Sequence, residues 1–285
     1  MHGIVSQRIR IAAAGDVHAS EAVRERVEGA FGRLDDVDLV LLAGDLTTHG
    51  EPEQAVVIAD AARLVDCPVV AVLGNHDYHD GRESEIARVL RDGGVIVLDR
   101  AVEVLEVGGL ELGIVGTKGF VGGFPGSSIP DFGERILRDL SAETSEELHA
   151  IERGLQEIAH ADLRIVLLHY APVVETLEGE PPGIHSMLGS ARLAIPIAEY
   201  QPDLVLHGHA HAGSFEGRIG ETPVYNVAVH VTGRDFYIFD LDVVPRRHPA
   251  ISVEEPMVPP RAPSFPSVAD SEVGVASRAD EPPFG

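Results

Sequence analysis

Residues 9–18 read Ile-Arg-Ile-Ala-Ala-Ala-Gly-Asp-Val-His, an apolar run that breaks at a glycine and then delivers a carboxylate and an imidazole two residues apart. The same design recurs downstream. Residues 39–45 read Leu-Val-Leu-Leu-Ala-Gly-Asp, and residues 69–77 read Val-Val-Ala-Val-Leu-Gly-Asn-His-Asp. Runs this short, apolar but for Arg10 and bounded by glycine, are the mark of strands buried on both faces. Helical patterns separate them. A first helix follows Ser20, a possible N-cap, with Val23, Val27, Ala30, Phe31 and Leu34 at helical spacing. A second runs over about 53–65 and a third over about 83–91, stopped by Gly93-Gly94. Alternation of this kind predicts βα units on a mostly parallel sheet, whose ligands gather at the carboxyl ends of the strands.

Further along, the pattern becomes richer in strands. Segments 102–107 and 110–116 flank Gly108-Gly109, a hairpin signal. A glycine-rich loop over 117–133 leads to a helix over about 145–159 and a strand over 163–169. A helical segment near 188–200, in spite of Pro196, precedes strands at 204–207, 224–227 and 236–241. Two of these late strands again end in imidazoles, at His169 and at His207-Gly208-His209-Ala210-His211. From residue 245 the composition shifts, and nine of the 19 prolines lie in the last 41 residues. The reading is a catalytic domain over 1–244 and a proline-rich, disordered tail over 245–285.

The chain has 285 residues and a formal charge of -24. A field of that sign repels a phosphate backbone or an anionic lipid surface, so neither nucleic acid nor membrane is expected as a partner. An anionic substrate would need local positive charge, and with 22 Lys and Arg against 46 acids, bound cations are a natural source. The single cysteine, Cys67, rules out an intramolecular disulfide framework and a thiolate cluster. No apolar run has the length of a membrane span or of a signal-peptide core, and a cytoplasmic location is expected.

Taken singly, most of the polar groups have ordinary uses. Asp16 could cap a turn, Gly44-Asp45 could be a turn after a strand, Asn75 suits a left-handed turn, and His169 could be a buried core histidine. His209 and His211 have less structural reason to follow an apolar strand, so metal binding is the better reading there. In order along the chain, Asp16-Val-His18, Gly44-Asp45, Gly74-Asn75-His76-Asp77, His169 and Gly208-His209-Ala210-His211 resemble the calcineurin-like metallophosphoesterases over roughly residues 8–241.

That resemblance implies an α/β fold of four layers, αββα, with two mixed β-sheets flanked by helices. It implies two divalent metal ions, with Asp16, His18 and His211 on the first, Asn75, His169 and His209 on the second, and Asp45 bridging. It leaves His76 to contact the scissile phosphate and assist the leaving group, with Asp77 holding its ring. The chemistry would be in-line attack on phosphorus by a hydroxide activated between the metals. The oxygen and nitrogen donors suit Mn, or else Fe, Zn or Co. Tyr78, His79 and Lys118 are candidate substrate contacts, the 117–133 loop is a candidate cap over the site, and His207 is left out of the ligands. His49, His185 and His230 have no assigned role. The phosphoprotein phosphatase branch carries Asp-Arg where this chain has Thr48-His49, and Glu where it has Asp77. These departures favour a small phosphodiester substrate; a phosphomonoesterase, or a binding scaffold on the same fold, is the alternative.

Overall fold

A computed structural model describes residues 6–246. The tail that the sequence reading places at 245–285 lies, from residue 247 on, outside the described residues. The first sheet takes β1 (Gln7–Ala14), β2 (Leu39–Ala43), β3 (Val69–Val72) and β4 (Ile96–Val97) in parallel, a consecutive order fed by the βα units. β5 (Ala101–Val107) and β6 (Leu110–Gly116) form the expected hairpin at one edge of a second sheet. A two-stranded ribbon, β7 (Gly123–Phe124) with β8 (Ser127–Ser128), lies inside the glycine-rich loop. The second sheet continues with β9 (Leu163–Leu167), β10 (Leu204–His207), β11 (Glu216–Ile219) and β12 (Thr222–Asn226), in the order β11-β12-β10-β9-β6-β5. β13 (Tyr237–Val243) returns to pair antiparallel with β1 at the edge of the first sheet.

Strand periodicity sorts the apolar side chains into layers. Ile9, Ile11 and Ala13 of β1, with Leu39, Leu41 and Ala43 of β2, meet Leu112 and Ile114 of β6, Ile165 and Leu167 of β9, and Leu206 of β10 in one core between the sheets. The alternate residues Ala12, Ala14, Val40, Leu42 and Ala71 face the other way. They pack on α1 (Arg24–Phe31), α2 (Pro52–Ala62) and α3 (Glu83–Asp92) through Phe31, Ile58, Ile86 and Leu90. Val115, Val166 and Val205 of the second sheet likewise meet Ile151 and Leu155 of α4 (Arg135–Glu157). The result is the four-layer αββα sandwich. Covering both faces of each sheet is why the central strands carry uninterrupted apolar runs instead of an alternating pattern.

Several boundaries differ from the sequence reading. Ser20 makes no capping hydrogen bond; a short 3-10 turn at Glu21–Val23 leads into α1 instead. The helix expected from 145 begins at Arg135; its first two turns stand largely in solvent, with Ile136 exposed, and its buried face starts only at Thr144 and Glu147. The segment near 188–200 breaks at Gly189 into α5 (His185–Leu188) and α6 (Ala194–Tyr200), with Pro196 tolerated in the first turn of α6. A further short helix, α7 (Val229–Thr232), follows β12. Among the described residues no helix is long and apolar enough to cross a membrane.

The inter-sheet core carries the fold's stability. Leu41 is fully buried there, and Leu41→Ala is expected to cost about 2–5 kcal/mol, read as a lower urea midpoint with an unchanged slope in far-UV circular dichroism.

Candidate metal centre

The carboxyl ends of β1, β2, β3, β9 and β10 converge at one edge of the sandwich, and the side chains that follow them converge too. Single ligand atoms of Asp16, His18, Asp45 and His211 lie within 4.8 Å of one another, and so do those of Asp45, His169 and His209. Asp45 belongs to both groups. Asn75 joins the second, its Oδ1 standing 2.9 Å from His169 Nε2. The seven residues read from the sequence as ligands are thus brought together, in two groups that share one carboxylate.

The local backbone is shaped for this purpose. Among the described residues seven non-glycine residues have positive φ, and four of them are Asp16, His18, Asp45 and His209. Such conformations cost of order 1–3 kcal/mol each and persist where surrounding structure enforces them. Here the clamps are visible. His18 N–H donates to Asp45 O at 3.0 Å, and Asp16 N–H donates to Gly44 O at 3.0 Å. His209 N–H donates to Asp16 Oδ2 at 2.9 Å and His76 N–H to Asp45 Oδ1 at 2.8 Å. The motif glycines are needed for space. A Cβ at Gly74 would run into Asp45 Oδ1, and one at Gly208 into Asp16 Oδ2.

The donor set suits a pair of cations. His169 Nδ1–H donates to Ala43 O at 2.9 Å, so its Nε2 offers a lone pair, and it faces Asn75 Oδ1 at 2.9 Å and Asp45 Oδ1 at 3.3 Å. Three electron-pair donors aimed at one point repel unless a cation lies between them. His209 Nε2–H donates to Met187 O at 3.2 Å, which leaves its Nδ1 free in the same way. His18 Nδ1 is buried with no hydrogen-bond partner, a costly state that a metal bond would relieve.

The electrostatics agree. Burial pushes His209 down to about 3, with the nearby His169 ring adding to the effect, so it is neutral at pH 7 and available as a ligand. Burial likewise lowers His18. Burial pushes the Asp16 carboxyl up, but its hydrogen bond with His211 and the closeness of His169 and His211 bring it down to about 2. The hydrogen bond to Asp16 raises His211.

Asp77 has a different job from the one the sequence reading implies. It is fully buried and does not hold the His76 ring; it accepts from Gly74 N (2.8 Å), Leu46 N (3.1 Å), Thr47 N (2.8 Å) and the Thr47 hydroxyl (2.7 Å). It therefore ties the turn after Asp45 to the turn before Asn75. The His76 ring is held instead by Thr48 O, which accepts from Nδ1–H at 2.8 Å and leaves Nε2 4.0 Å from Asp45 Oδ2.

His207 is buried with both ring nitrogens engaged, Nδ1–H on Gly208 O at 2.8 Å and Nε2 at 2.9 Å from the Thr176 hydroxyl. Burial holds it near 4. His49 sits exposed on its turn, and His185 Nε2–H donates to Glu180 O. His79 is exposed, with its ring centre 5.4 Å from that of His76. Tyr78 and Lys118 line a cavity that Asn75 also lines. Gly123 N–H donates to Gly189 O and Gly122 N–H to Ser186 O, so the 117–133 loop is pinned to the segment that supplies Met187 O to His209. The sequence reading assigned no role to His230, whose ring stacks on His211 with centres 4.2 Å apart and planes 12° from parallel. It also passed over Tyr170, whose ring lies 4.5 Å from that of His209. Adjacency to His169 could have flagged Tyr170; no spacing signal marks His230.

A family model described as calcineurin-like phosphoesterase matches residues 9–213. No curated protein matches the chain. Among solved structures, phosphopantetheinyl hydrolase (PptH) from Mycobacterium tuberculosis is similar over 85% of this chain and 99% of its own, with a TM-score of 0.62 and 16% identity. The protein TT1561 of Thermus thermophilus matches 83% of this chain and 99% of its own, at a TM-score of 0.54 and 16% identity. GAP50, the anchor in the inner membrane complex of Plasmodium, matches 82% of this chain and 81% of its own, at a TM-score of 0.53 and 13% identity. At these identities the likeness to solved structures is one of fold.

If the two groups are two metal positions, elemental analysis of the purified protein should find about two ions per chain. His211→Ala should lose one ion and Asp45→Ala should depress both. Gly208→Ala, which changes no ligand residue but displaces the Asp16 carboxylate, should weaken metal affinity by about 10–100-fold, the size of effect seen when support of a ligand is removed.

Proposed function

The chain belongs to the calcineurin-like phosphoesterase family, and on that footing we propose that it is a metal-dependent phosphodiesterase acting on a small substrate. The observation that carries this reading is the pair of ligand groups sharing Asp45, together with the partnerless buried nitrogen of His18. Asp16, His18 and His211 would hold one ion, Asn75, His169 and His209 the other, and Asp45 both. When bound, two such ions supply Lewis acidity toward phosphoryl oxygens and an activated water for in-line attack. The mixture of carboxylate, amide and imidazole donors points to manganese, or to iron, zinc or cobalt, over magnesium and calcium.

The protein's own groups do the rest. With two divalent ions bound, the two carboxylates would leave the centre net positive and able to attract a phosphoester inside a chain of charge -24. His76 is fixed by Thr48 O through Nδ1–H, which directs Nε2 toward the centre, where, in the doubly protonated imidazolium, Nε2–H is placed to donate to a phosphoryl oxygen and pass its proton to the departing alkoxide, leaving the neutral ring. Asp77 and Thr47 hold the backbone that carries Asp45 and His76.

Support for a diester comes from the sequence and from charge. Thr48-His49 stands where protein phosphatases of this superfamily carry Asp-Arg. In the cavity beside Asn75, Arg100 is already paired with Glu143 and Glu147. A monoanionic diester asks for less positive charge than a dianionic monoester. The acidic sequence argues against a nucleic-acid or anionic-membrane partner.

Manganese-loaded protein is expected to hydrolyse bis(p-nitrophenyl) phosphate faster than p-nitrophenyl phosphate and to lose activity in EDTA; the reverse preference would make it a monoesterase, and inactivity on both with two ions bound would make it a scaffold. The substrates tried should include a phosphopantetheinyl ester, because one protein of this fold is named a phosphopantetheinyl hydrolase. His76→Asn should retain both ions while kcat on an alkyl diester, whose leaving group needs a proton, falls by about 10²–10⁴. Loss of an ion in that variant would place His76 among the ligands instead.

A further inference from the structure

A cavity of about 550 Å³ opens beside Asn75, lined by Tyr78, Phe120 and Tyr170, by Lys118 and Arg100, and by Glu83, Asp99, Glu143 and Glu147. Its walls are held in place by a dense set of contacts. Lys118 Nζ lies 4.4 Å from the ring centre of Phe120, 5.3 Å from Tyr170 and 5.4 Å from Tyr78, and donates to Gly119 O at 3.2 Å. An ammonium has three protons, and one carbonyl satisfies only one of them. Lys118 is itself half-buried. Its own carbonyl accepts from His169 N and Tyr170 N, so Lys118 is locked to the strand end that carries a metal-ligand candidate. The buried Glu147, also in the lining, accepts from the Thr117 hydroxyl, from Gly119 N–H and from Arg100 Nε–H, and so fixes both the start of the loop and the guanidinium. Arg100 has φ 50°, a left-handed conformation for a bulky residue.

We propose that this cavity is the subsite for the organic arm of the phosphoester, and that it selects an arm ending in a flat heteroaromatic ring, the chemistry a nucleobase presents. The inference rests on the phosphoesterase reading for the position of the phosphate, at the Asn75 end. The wall chemistry chooses the class. Three aromatic side chains give a flat ring faces and edges to pack on. The spare protons of Lys118 suit ring nitrogens or carbonyl oxygens, and Glu83 and Asp99, outside the Arg100 cluster, suit exocyclic N–H donors. A second phosphate or a carboxylate on the arm would be repelled by Glu83 and Asp99. A purely aliphatic arm would desolvate Lys118 without giving it an acceptor, which is costly.

The test is equilibrium binding, which reads the subsite independently of turnover. The full-length, manganese-loaded protein is titrated calorimetrically with thymidine 5′-phosphate, phenyl phosphate and ethyl phosphate, which share a phosphate and differ in the arm. Thymidine 5′-phosphate should bind at least about tenfold more tightly than ethyl phosphate, with phenyl phosphate between them. Phe120→Ala should collapse the phenyl-to-ethyl ratio to within about twofold, and Lys118→Met, which keeps the length of the side chain, should collapse the thymidine-to-phenyl ratio instead. Metal content equal to that of the unaltered protein confirms that each variant is folded. Equal affinities for the three esters, or ratios unmoved by either substitution, overturn the proposal while leaving the phosphoesterase reading intact. If neither ethyl phosphate nor inorganic phosphate binds the loaded protein, the phosphoesterase reading fails. Thymidine alone then decides the cavity: binding that is lost in Phe120→Ala supports the subsite, and no binding overturns it.

Discussion

The centre depends on how closely the carboxyl ends of β2 and β9 approach each other. Packed sheets stand roughly 10 Å apart, yet here His169 Nε2 lies 3.3 Å from Asp45 Oδ1, and its Nδ1 bonds the last carbonyl of β2. Small residues permit it. Ala43, Gly44, Gly15 and Gly208 remove side chains where the sheets close, so the His169 ring reaches from one sheet to the other. The apolar layer behind it, with Leu41, Ala43, Ile165 and Leu167, fixes the spacing that this reach requires. The metal-ligand candidates are thus held by the core of the sandwich, although they sit on loops.

That arrangement carries a conformational cost. Asp16, His18, Asp45 and His209 all hold left-handed backbone without being glycine, a sum of several kcal/mol by ordinary magnitudes. Burial of the strands on both faces offsets it, and a network of backbone hydrogen bonds over-determines the turns. Asp77 is the hub of that network. Its four acceptor contacts bind the turn after β2 to the turn after β3, so it shapes the centre from behind without facing it.

Charge follows the same logic. A chain of formal charge -24 would repel a phosphoester over most of its surface, and the neutral histidines at the strand ends add nothing to that repulsion. Burial keeps His209 neutral near pH 7, so it can ligate a cation without cancelling its charge. The cavity beside Asn75 continues the theme with balanced groups: Arg100 neutralises buried Glu147, and Lys118 rests among rings.

Much of this was legible in the sequence, since the strands ending in Gly-Asp, Gly-Asn-His-Asp and Gly-His-Ala-His place their polar residues by periodicity and glycine alone. The family model confirms the family that those motifs suggested, and the layered fold follows. Element edges were less legible. The first turns of α4 stand largely in solvent although they carry Ile136, Leu137 and Leu140, and Ser20 precedes a 3-10 turn without making a capping hydrogen bond. Roles were least legible of all. Asp77 sits beside His76 in the chain, but its carboxylate turns toward Thr47 and Gly74, and Thr48 holds the imidazole instead. His230 reaches His211 only because a short helix after β12 folds back over β1, a contact between residues that no local spacing relates. The sequence by itself determined which residue types stand at which strand ends, because strand period and turn chemistry are local. Tertiary structure alone decided which of them face one another, because that depends on how two sheets pack across a shared core.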